Sequence, residues 1–274
     1  MSPATGTSAE EPSAWDGTPA WFELTVADPD AAQAFYEAVA DWRIATSPMP
    51  GQGGDRIAAV DGTPVAGIRP AMPGAPGLPG WAVHFATRDL DAMTARVVDL
   101  GGRIRSGPVD IPHVGRVALV SDPQDVVFAV MDAPSPGQRR AFGPVPLGTE
   151  RTVGHGVWTE LATPDPEAAL AFYGALFGWE TLGAMPMGAM GAYTFIGRGD
   201  LRPGAVMSSA ATGAPARWNW YIHVADIDAA LATVQSRGGT VLQGPDPIPG
   251  GGYAANIADP AGNRLGLAGP RRTS

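Results

Sequence analysis

The sequence predicts an α+β fold in which two similar domains follow one another, each made of paired βαβββ modules. The first observation is a repeat, because WFELTVADPDAAQAFYEAVADW begins at Trp21 and WTELATPDPEAALAFYGALFGW begins at Trp158, an offset of 158 − 21 = 137 residues. The second is that the offset returns where GGRIRSGPVDIP at Gly101 matches GGTVLQGPDPIP at Gly238. The third is that strand and helix patterns alternate within each half. A fixed period indicates a duplicated structural unit.

The offset also sets the predicted domain boundaries. It indicates a disordered tail at residues 1–17 and a first domain at residues 18–133. A Pro/Gly-rich linker at residues 134–151 then leads to a second domain at residues 152–269. Each domain divides again, because Trp81 and Trp220 open further strand–turn–helix patterns at spacings of 81 − 21 = 60 and 220 − 158 = 62 residues. Four modules of similar length therefore make up the chain.

The elements of a module follow from the residue pattern in chain order. WFELTVA, from Trp21, is rich in aromatic and β-branched residues and predicts a strand. Asp28 followed by Pro29 is typical of a helix start, and the Phe35-Tyr36 pair continues at helical spacing. The runs DRIAAV and TPVAGIR, separated by an Asp-Gly dipeptide, then predict a tight hairpin.

Composition excludes several function classes. The 274 residues include no cysteine, so there is no disulfide framework, thiolate metal site or thiol nucleophile. All 18 basic residues are arginine and the net charge is −9, which argues against a nucleic-acid partner. No secretory signal pattern and no apolar run of the roughly 20 residues that span a bilayer occurs. We therefore expect a cytoplasmic protein with a small-molecule partner and no membrane or nucleic-acid partner.

Paired βαβββ modules with an FY-containing first helix and a late Asp-Pro turn, at Asp122-Pro123 and Asp259-Pro260, resemble the vicinal oxygen chelate superfamily. This superfamily contains glyoxalase I, bleomycin-resistance proteins and extradiol dioxygenases, and the combined motifs are most similar to its tandem glyoxalase-like proteins of the hydroxylase type. The resemblance implies that the modules of each domain form a half-open barrel around a cavity. The 137-residue offset further predicts that the two halves pack as pseudo-equivalent barrels, so that one chain imitates a dimer of single-domain relatives. We therefore expect a monomer or a weak homodimer.

In enzymes of this family, residues on the first and last strands of the modules hold a divalent metal. Here the resemblance assigns those positions to Trp21, Trp158, Ala129 and Gly266. None of these side chains can bind a metal ion. The sequence therefore predicts no metal-ligating residues and no cofactor, and a divalent metal is disfavoured.

Two acidic residues and two histidines recur in the halves and are the candidate catalytic residues. Glu23 and Glu160 share a strand face with the tryptophans at the family's ligand positions, and His84 and His223 end the similar runs WAVH and WYIH. One glutamate and one histidine in each cavity could act as an acid–base pair, or as half of a displaced metal site. The alternative is a buried glutamate whose charge is satisfied by histidine or by backbone donors.

Aromatic and methionine side chains are the candidate ligand-binding residues. Tryptophans that open strands serve either as core or as a wall on which flat ligands stack. The Met-rich segment AMPMGAMGA, from Ala184, is either a lid over the second cavity or a disordered hairpin tip. His113 is either a solvated loop residue or a rim residue of the first cavity. The assigned ligand-binding residues are Trp21, Trp81, Trp158, Trp220, Tyr221 and Met187.

These observations leave three functions open. The first is a small-molecule-binding protein with degenerate metal sites that takes an apolar or aromatic metabolite. The second is a lyase, isomerase or hydroxylase that uses glutamate and histidine, with or without a divalent metal. The third is a domain that mainly mediates assembly. We expect the second cavity to be the working one, because its loop carries Met185, Met187 and Met190.

Overall fold

A computed structural model describes residues 15–47, 54–71, 79–111, 115–132, 141–143 and 152–272. His113 and most of the predicted linker and tail lie outside the described residues. No helix in these ranges is long and apolar enough to cross a membrane.

The first half forms one eight-stranded sheet with two helices. Its strands pair in the order β2-β3-β4-β1-β5-β8-β7-β6, so that β1 and β5, the first strands of the two modules, meet antiparallel at the centre. Strands β1 to β8 are Pro19–Val26, Arg43–Thr46, Arg56–Val60, Thr63–Pro70, Gly80–Thr87, Arg103–Ile111, Gly115–Ser121 and Val127–Asp132. Helices α1 and α2 are Pro29–Ala40 and Leu90–Asp99.

The second half repeats this architecture, with the strand order β10-β11-β12-β9-β13-β16-β15-β14. Strands β9 to β16 are Gly156–Thr163, Glu180–Pro186, Ala192–Arg198, Leu201–Ser208, Arg217–His223, Thr240–Pro247, Tyr253–Ala258 and Arg264–Gly269. Helices α3, α4 and α5 are Pro166–Phe177, Ser209–Thr212 and Ile227–Ser236, and a single 3₁₀ turn spans Gly188–Met190. The bounds of β1 and α1 plus 137 give those of β9 and α3, so the predicted duplication is confirmed.

Local sequence sets the helix boundaries as predicted. The side chain of Asp28 accepts a hydrogen bond from the Ala31 amide at 3.0 Å, which caps the first turn of α1. Asp165 caps α3 in the same way through the amide of Ala168, at 3.1 Å. Gly178 ends α3 in the left-handed conformation, with φ of 71°, where glycine carries no steric penalty.

A single main hydrophobic core joins the two halves. Helix α1 packs on α5 and α2 packs on α3, so each helix contact links one half to the other. At the centre the rings of Phe22, on β1, and Trp220, on β13, stack with centroids 3.8 Å apart. One face of each sheet therefore carries helices and packs against the opposite half.

Matched hydrogen bonds repeat across this interface. The hydroxyl of Tyr36 donates to the carboxylate of Asp259 at 3.1 Å, and the hydroxyl of Tyr173 donates to Asp122 at 3.1 Å. The Asp-Pro turns that carry the family resemblance therefore help to join the two halves. The aspartate of each turn accepts a hydrogen bond from the tyrosine of the Phe-Tyr pair in the other half.

The other face of the second sheet is concave, and neither sheet closes into a barrel among the described residues. In the second half, Met187 follows edge strand β10 and Leu242 lies on the opposite edge strand β14, yet both line one cavity. The sheet must curl around that cavity for its two edges to reach it. This agrees with the predicted half-open barrel.

Two short segments assigned to the tail and the linker belong to the packed structure. Asp16 is buried, and its carboxylate accepts a hydrogen bond from the Arg88 amide at 3.2 Å. Phe142 is buried and forms a bridge with Gly156. The sequence pattern missed both segments because each is a few residues long and lacks periodicity.

Candidate functional site

A cavity of about 280 Å³ lies on the concave face of the second sheet. Strand alternation decides which residues reach it. On β13, Arg217, Asn219 and Tyr221 line the cavity, while Trp218 and Trp220 point into the core between the halves. Polar side chains line one part of the cavity, namely Glu160, Tyr193, Arg217, Asn219, Tyr221, Asn256 and Arg264.

Glu160 is the buried acid of this cavity, with 7% of its surface exposed. The hydroxyl of Tyr221 donates to its Oε2 atom at 3.2 Å, and Tyr193 also hydrogen-bonds to the carboxylate. Burial raises the pKa of the Glu160 carboxyl, while the two tyrosines and the nearby Arg217 charge oppose that rise. Tyr193 is itself held by Trp158, whose indole Nε1 donates to the Tyr193 hydroxyl at 2.7 Å.

A second polar chain runs from Arg217 across the sheet. The Arg217 guanidinium donates to Oδ1 of Asn219 at 2.7 Å, and Nδ2 of Asn219 donates to Oδ1 of Asn256 at 3.0 Å. Tyr221 also hydrogen-bonds to both asparagines. Burial, followed by the neighbouring Arg264 charge, lowers the pKa of Arg217 to about 10.

Apolar side chains form most of the remaining lining, which also includes Thr212 and Gln243. Met187 precedes the 3₁₀ turn Gly188–Met190, and Met190 ends it. Met207 reaches the cavity from β12. Of the two alternatives for this Met-rich segment, the structure favours an ordered wall, because the segment forms β10 and the 3₁₀ turn beside the cavity. Thioether side chains adapt to ligands of irregular outline.

The predicted pairing of Glu160 with His223 is wrong. His223 is buried at the end of β13, where its Nδ1 atom hydrogen-bonds to the Thr152 hydroxyl at 2.7 Å, and it does not line the cavity. Burial lowers the pKa of its imidazole. The true counterpart of His84 is Tyr221, since 84 + 137 = 221 and both residues lie opposite the first-strand tryptophan.

Aligning the similar runs WAVH and WYIH therefore shifts the comparison of the two halves by two residues. The counterpart of Trp81 is Trp218, because the indole of Trp81 donates to the Tyr36 hydroxyl at 2.9 Å and that of Trp218 donates to the Tyr173 hydroxyl at 3.0 Å. The alternating order of β13, with polar residues at 217, 219 and 221, was the signal that could have identified the cavity face.

In the first half the predicted glutamate and histidine interact electrostatically, but Glu23 is hydrogen-bonded to Arg69 and the buried Nδ1 atom of His84 has no hydrogen-bond partner among the described residues. His84 lies directly across from Trp21 on the neighbouring strand, and Glu23 accepts a hydrogen bond from Arg69 at 3.1 Å. Burial lowers the pKa of His84, and the Glu23 charge opposes that shift. Glu23 is more exposed than Glu160, with 26% of its side chain accessible. The two halves thus place different chemistry at equivalent positions.

None of the four tryptophans assigned to ligand binding is among the residues that line the described cavity. Trp220 is 1% exposed and stacked on Phe22, so its assignment to a ligand-binding wall is wrong. Trp81 packs edge-on against Trp220 and Tyr36 and also serves the core between the halves. Trp21 and Trp158 are only partly buried. Trp158 does not line the cavity of the second half and is connected to it through its hydrogen bond to Tyr193.

Sequence reasoning missed the residues that complete the polar lining. Tyr193, Asn219, Asn256, Arg217 and Arg264 come from four strands, and no local motif joins them. Only the strand order, with β11 and β15 flanking the central strands, brings them to one face.

Comparison with known proteins places this geometry in a family. The model of the Glyoxalase/Bleomycin resistance protein/Dioxygenase superfamily matches residues 18–130 and again residues 155–267. The chain belongs to this superfamily. The duplicated sheets are its two glyoxalase-like units.

The chain is also similar to a curated protein over most of its length and to two solved structures of the same fold. The anthracycline biosynthesis protein DauV of Streptomyces sp. (strain C5) is 33% identical over 265 residues, which cover 90% of each chain. The Mn(II)-bound glyoxalase of Novosphingobium aromaticivorans superposes with a TM-score of 0.63 at 15% identity, over 93% of this chain and 82% of that one. The 2,3-dioxygenase LapB of Pseudomonas sp. KL28 gives 0.62 at 14%, over 94% of each chain.

The superfamily's divalent metal does not fit the residues present here. Trp158, Tyr221 and Gly266 lie side by side on β9, β13 and β16, and Trp21, His84 and Ala129 lie side by side in the first half. In the second half a Cβ atom on Gly266 would overlap the Tyr221 ring, so this ring fills the space beside the last-strand position. Within the described residues no group of three His, Cys, Asp or Glu side chains could hold a metal ion.

Proposed function

We propose that the cavity of the second half binds a planar, largely apolar aromatic metabolite that carries hydroxyl groups. The observation that carries this proposal is the buried Glu160 carboxyl, held by Tyr221 and Tyr193 inside a cavity whose lining also includes three methionines. Ligand sites are typically apolar with a few convergent polar groups that fix orientation.

The apolar wall supports an aromatic ligand. Met187, Met190 and Met207 present polarizable sulfur atoms, which make favourable contacts with aromatic rings. The cavity volume of about 280 Å³ is close to the lower end of the range of ligand sites, which begins at about 300 Å³. Apolar burial would supply most of the binding free energy, at roughly 25 cal/mol per Å² removed from water.

The polar groups support hydroxyl substituents. A Glu160 carboxyl with a raised pKa can exist as a donor or as an acceptor, and the asparagine amides offer both functions. A ligand hydroxyl could therefore donate to one of these groups or accept a hydrogen bond from it. Because each buried polar group left unpaired is costly, a ligand lacking the hydroxyls should bind more weakly.

The name of one relative narrows the chemical class. DauV is an anthracycline biosynthesis protein. Anthracyclines contain a hydroxylated anthraquinone, which is planar, aromatic and mostly apolar. We therefore select hydroxyanthraquinones as the first ligands to test.

Quenching of intrinsic tryptophan fluorescence by 1,4-dihydroxyanthraquinone tests the proposal, with unsubstituted anthraquinone and a linear fatty alcohol as comparison ligands. We expect saturable quenching that is strongest for the dihydroxy compound. E160Q should weaken it by about tenfold, the worth of one hydrogen bond to a charged group, whereas the exposed control E180Q should not. Equal quenching by all three compounds, unaffected by E160Q, would refute the proposal.

Proton transfer is the second candidate function, and the environment of Glu160 favours it. A buried carboxyl with a raised pKa, facing a cavity and flanked by two tyrosine hydroxyls, suits a general acid or base in a lyase or isomerase. Exchange of an activated C–H proton of a bound ligand with deuterated solvent, followed by NMR, would favour this candidate if E160Q abolished it.

A further inference from the structure

The cavity of the second half carries an excess of positive charge in a negatively charged protein. The chain has a net charge of −9, yet the charged residues that line this cavity are two arginines, Arg217 and Arg264, and one acid, Glu160. Even with Glu160 ionised the lining is positive. A local field opposite in sign to the whole molecule attracts anionic ligands to that place.

Neither arginine has a carboxylate partner among the described residues. The salt bridges found there join Arg56, Arg69, Arg103, Arg105, Arg116 and Arg271 to acidic side chains, and none includes Arg217 or Arg264. Arg217 instead donates to a neutral acceptor, Oδ1 of Asn219, at 2.7 Å.

Holding these two charges near each other without an anion is unfavourable. Arg217 is partly buried, and the Arg264 charge disfavours its protonated form. Glu160 attracts Arg217 but does not form a salt bridge with it, because its carboxylate is held by the tyrosines. An anion placed between the two guanidiniums would relieve the repulsion and accept hydrogen bonds from both.

We infer that the ligand of this cavity carries a carboxylate that lies between Arg217 and Arg264, while its aromatic body lies against the methionine wall. Guanidinium groups match carboxylate oxygens in geometry and form charge-assisted hydrogen bonds with them. The inference rests on the proposed function and adds the class of ligand, an aromatic carboxylic acid. Arg264 is exposed, so it can meet the carboxylate at the mouth of the cavity.

Calorimetric titration with two matched probes tests the inference. Anthraquinone-2-carboxylate and anthraquinone-2-carboxamide have the same shape and differ in charge. The wild-type protein should bind the carboxylate at least about tenfold more tightly, the worth of one charge-assisted hydrogen bond. R264Q should weaken binding of the carboxylate more than binding of the carboxamide, and so remove most of that difference. The control R237Q replaces an exposed arginine at the end of α5, outside the cavity lining, and should keep the difference.

The possible results separate the inference from the proposal beneath it. Equal affinities for the two probes, unaffected by R264Q, would overturn the anionic class and leave the aromatic cavity intact. Binding of neither probe, together with no quenching by 1,4-dihydroxyanthraquinone, would overturn both. A preference for the carboxylate that R237Q abolishes as strongly as R264Q would also contradict the inference, because a diffuse charge effect would then explain it.

Discussion

The hydroxyl of Tyr221 donates a hydrogen bond to Oε2 of Glu160 at 3.2 Å inside the second cavity. In the first half the same two positions carry His84 and Glu23. One duplicated framework therefore holds two different acid–partner pairs, and in the second half the buried glutamate faces tyrosine rather than histidine. This pair is the centre of the proposed binding site.

The pKa of Glu160 gives a first prediction, concerning stability against pH. Burial raises this pKa in the folded protein, so the folded state binds the proton more tightly than the unfolded chain. The stabilisation is present below the unfolded pKa, about 4.3, and is lost as the pH rises through the folded value. E160Q removes this titration, so the melting temperature of the variant relative to wild type should rise between about pH 4 and pH 8.

Thermal unfolding of wild type, E160Q and the exposed control E180Q across this pH range measures the effect. The E180Q difference should stay flat with pH, because Glu180 is exposed. A constant difference between E160Q and wild type would contradict the raised pKa of Glu160.

Close packing of Tyr221 over Gly266 gives a second prediction. A Cβ atom at position 266 would overlap the Tyr221 ring, so G266A should cost about 1–3 kcal/mol of unfolding free energy through overpacking. In a Y221A background the same substitution should cost less, because the obstructing ring is gone. Denaturant unfolding of the four proteins in this double-mutant cycle measures the coupling, and additive effects would contradict the contact.

A third prediction concerns the two kinds of tryptophan. Trp220 is stacked on Phe22 in the core that joins the halves, so W220A should lower the unfolding free energy by about 3–5 kcal/mol. The milder W220F should cost less and leave the affinity for 1,4-dihydroxyanthraquinone unchanged. W158F removes the indole donor that holds Tyr193 and should weaken binding. If W220F bound the ligand more weakly without losing stability, Trp220 would instead be a residue of the cavity wall.

The fold followed from the sequence because its signals are local and repeated. The offset of 137 residues, the Asp28 and Asp165 caps and the strand patterns each depend on neighbours along the chain. The sequence also predicts Glu160, Tyr221 and Met187 as site residues, and all three line the cavity.

The remainder of the site depends on information that no short segment holds. Tyr193 and Asn256 reach Glu160 and Asn219 only through the order of strands in the sheet. The runs WAVH and WYIH look alike and suggest that His223 corresponds to His84, although the 137-residue offset and the pairing opposite the first-strand tryptophan both equate His84 with Tyr221. Residues two positions apart on a strand face the same side of the sheet. The predicted facing direction alone therefore could not reveal that the alignment was shifted by two residues.

Metal content gives a fourth prediction. The side chains at the superfamily's ligand positions are Trp158 and Gly266, with Tyr221 between them, and none suits a divalent ion at neutral pH. Protein purified without a metal-affinity tag should contain far less than one zinc, manganese or iron per chain by mass spectrometry. About one metal per chain, lost in E160Q or E23Q, would contradict this and favour the enzyme hypothesis.

The central claim is that the second cavity, and not its duplicate, binds the aromatic ligand through Glu160. Calorimetric titration of E160Q and E23Q with 1,4-dihydroxyanthraquinone tests it most directly, because the two substitutions make the same chemical change at equivalent positions of the two halves. The account predicts that E160Q weakens binding by about tenfold and that E23Q binds as the wild type does. Unchanged binding by E160Q, or an equal loss in E23Q, would contradict it.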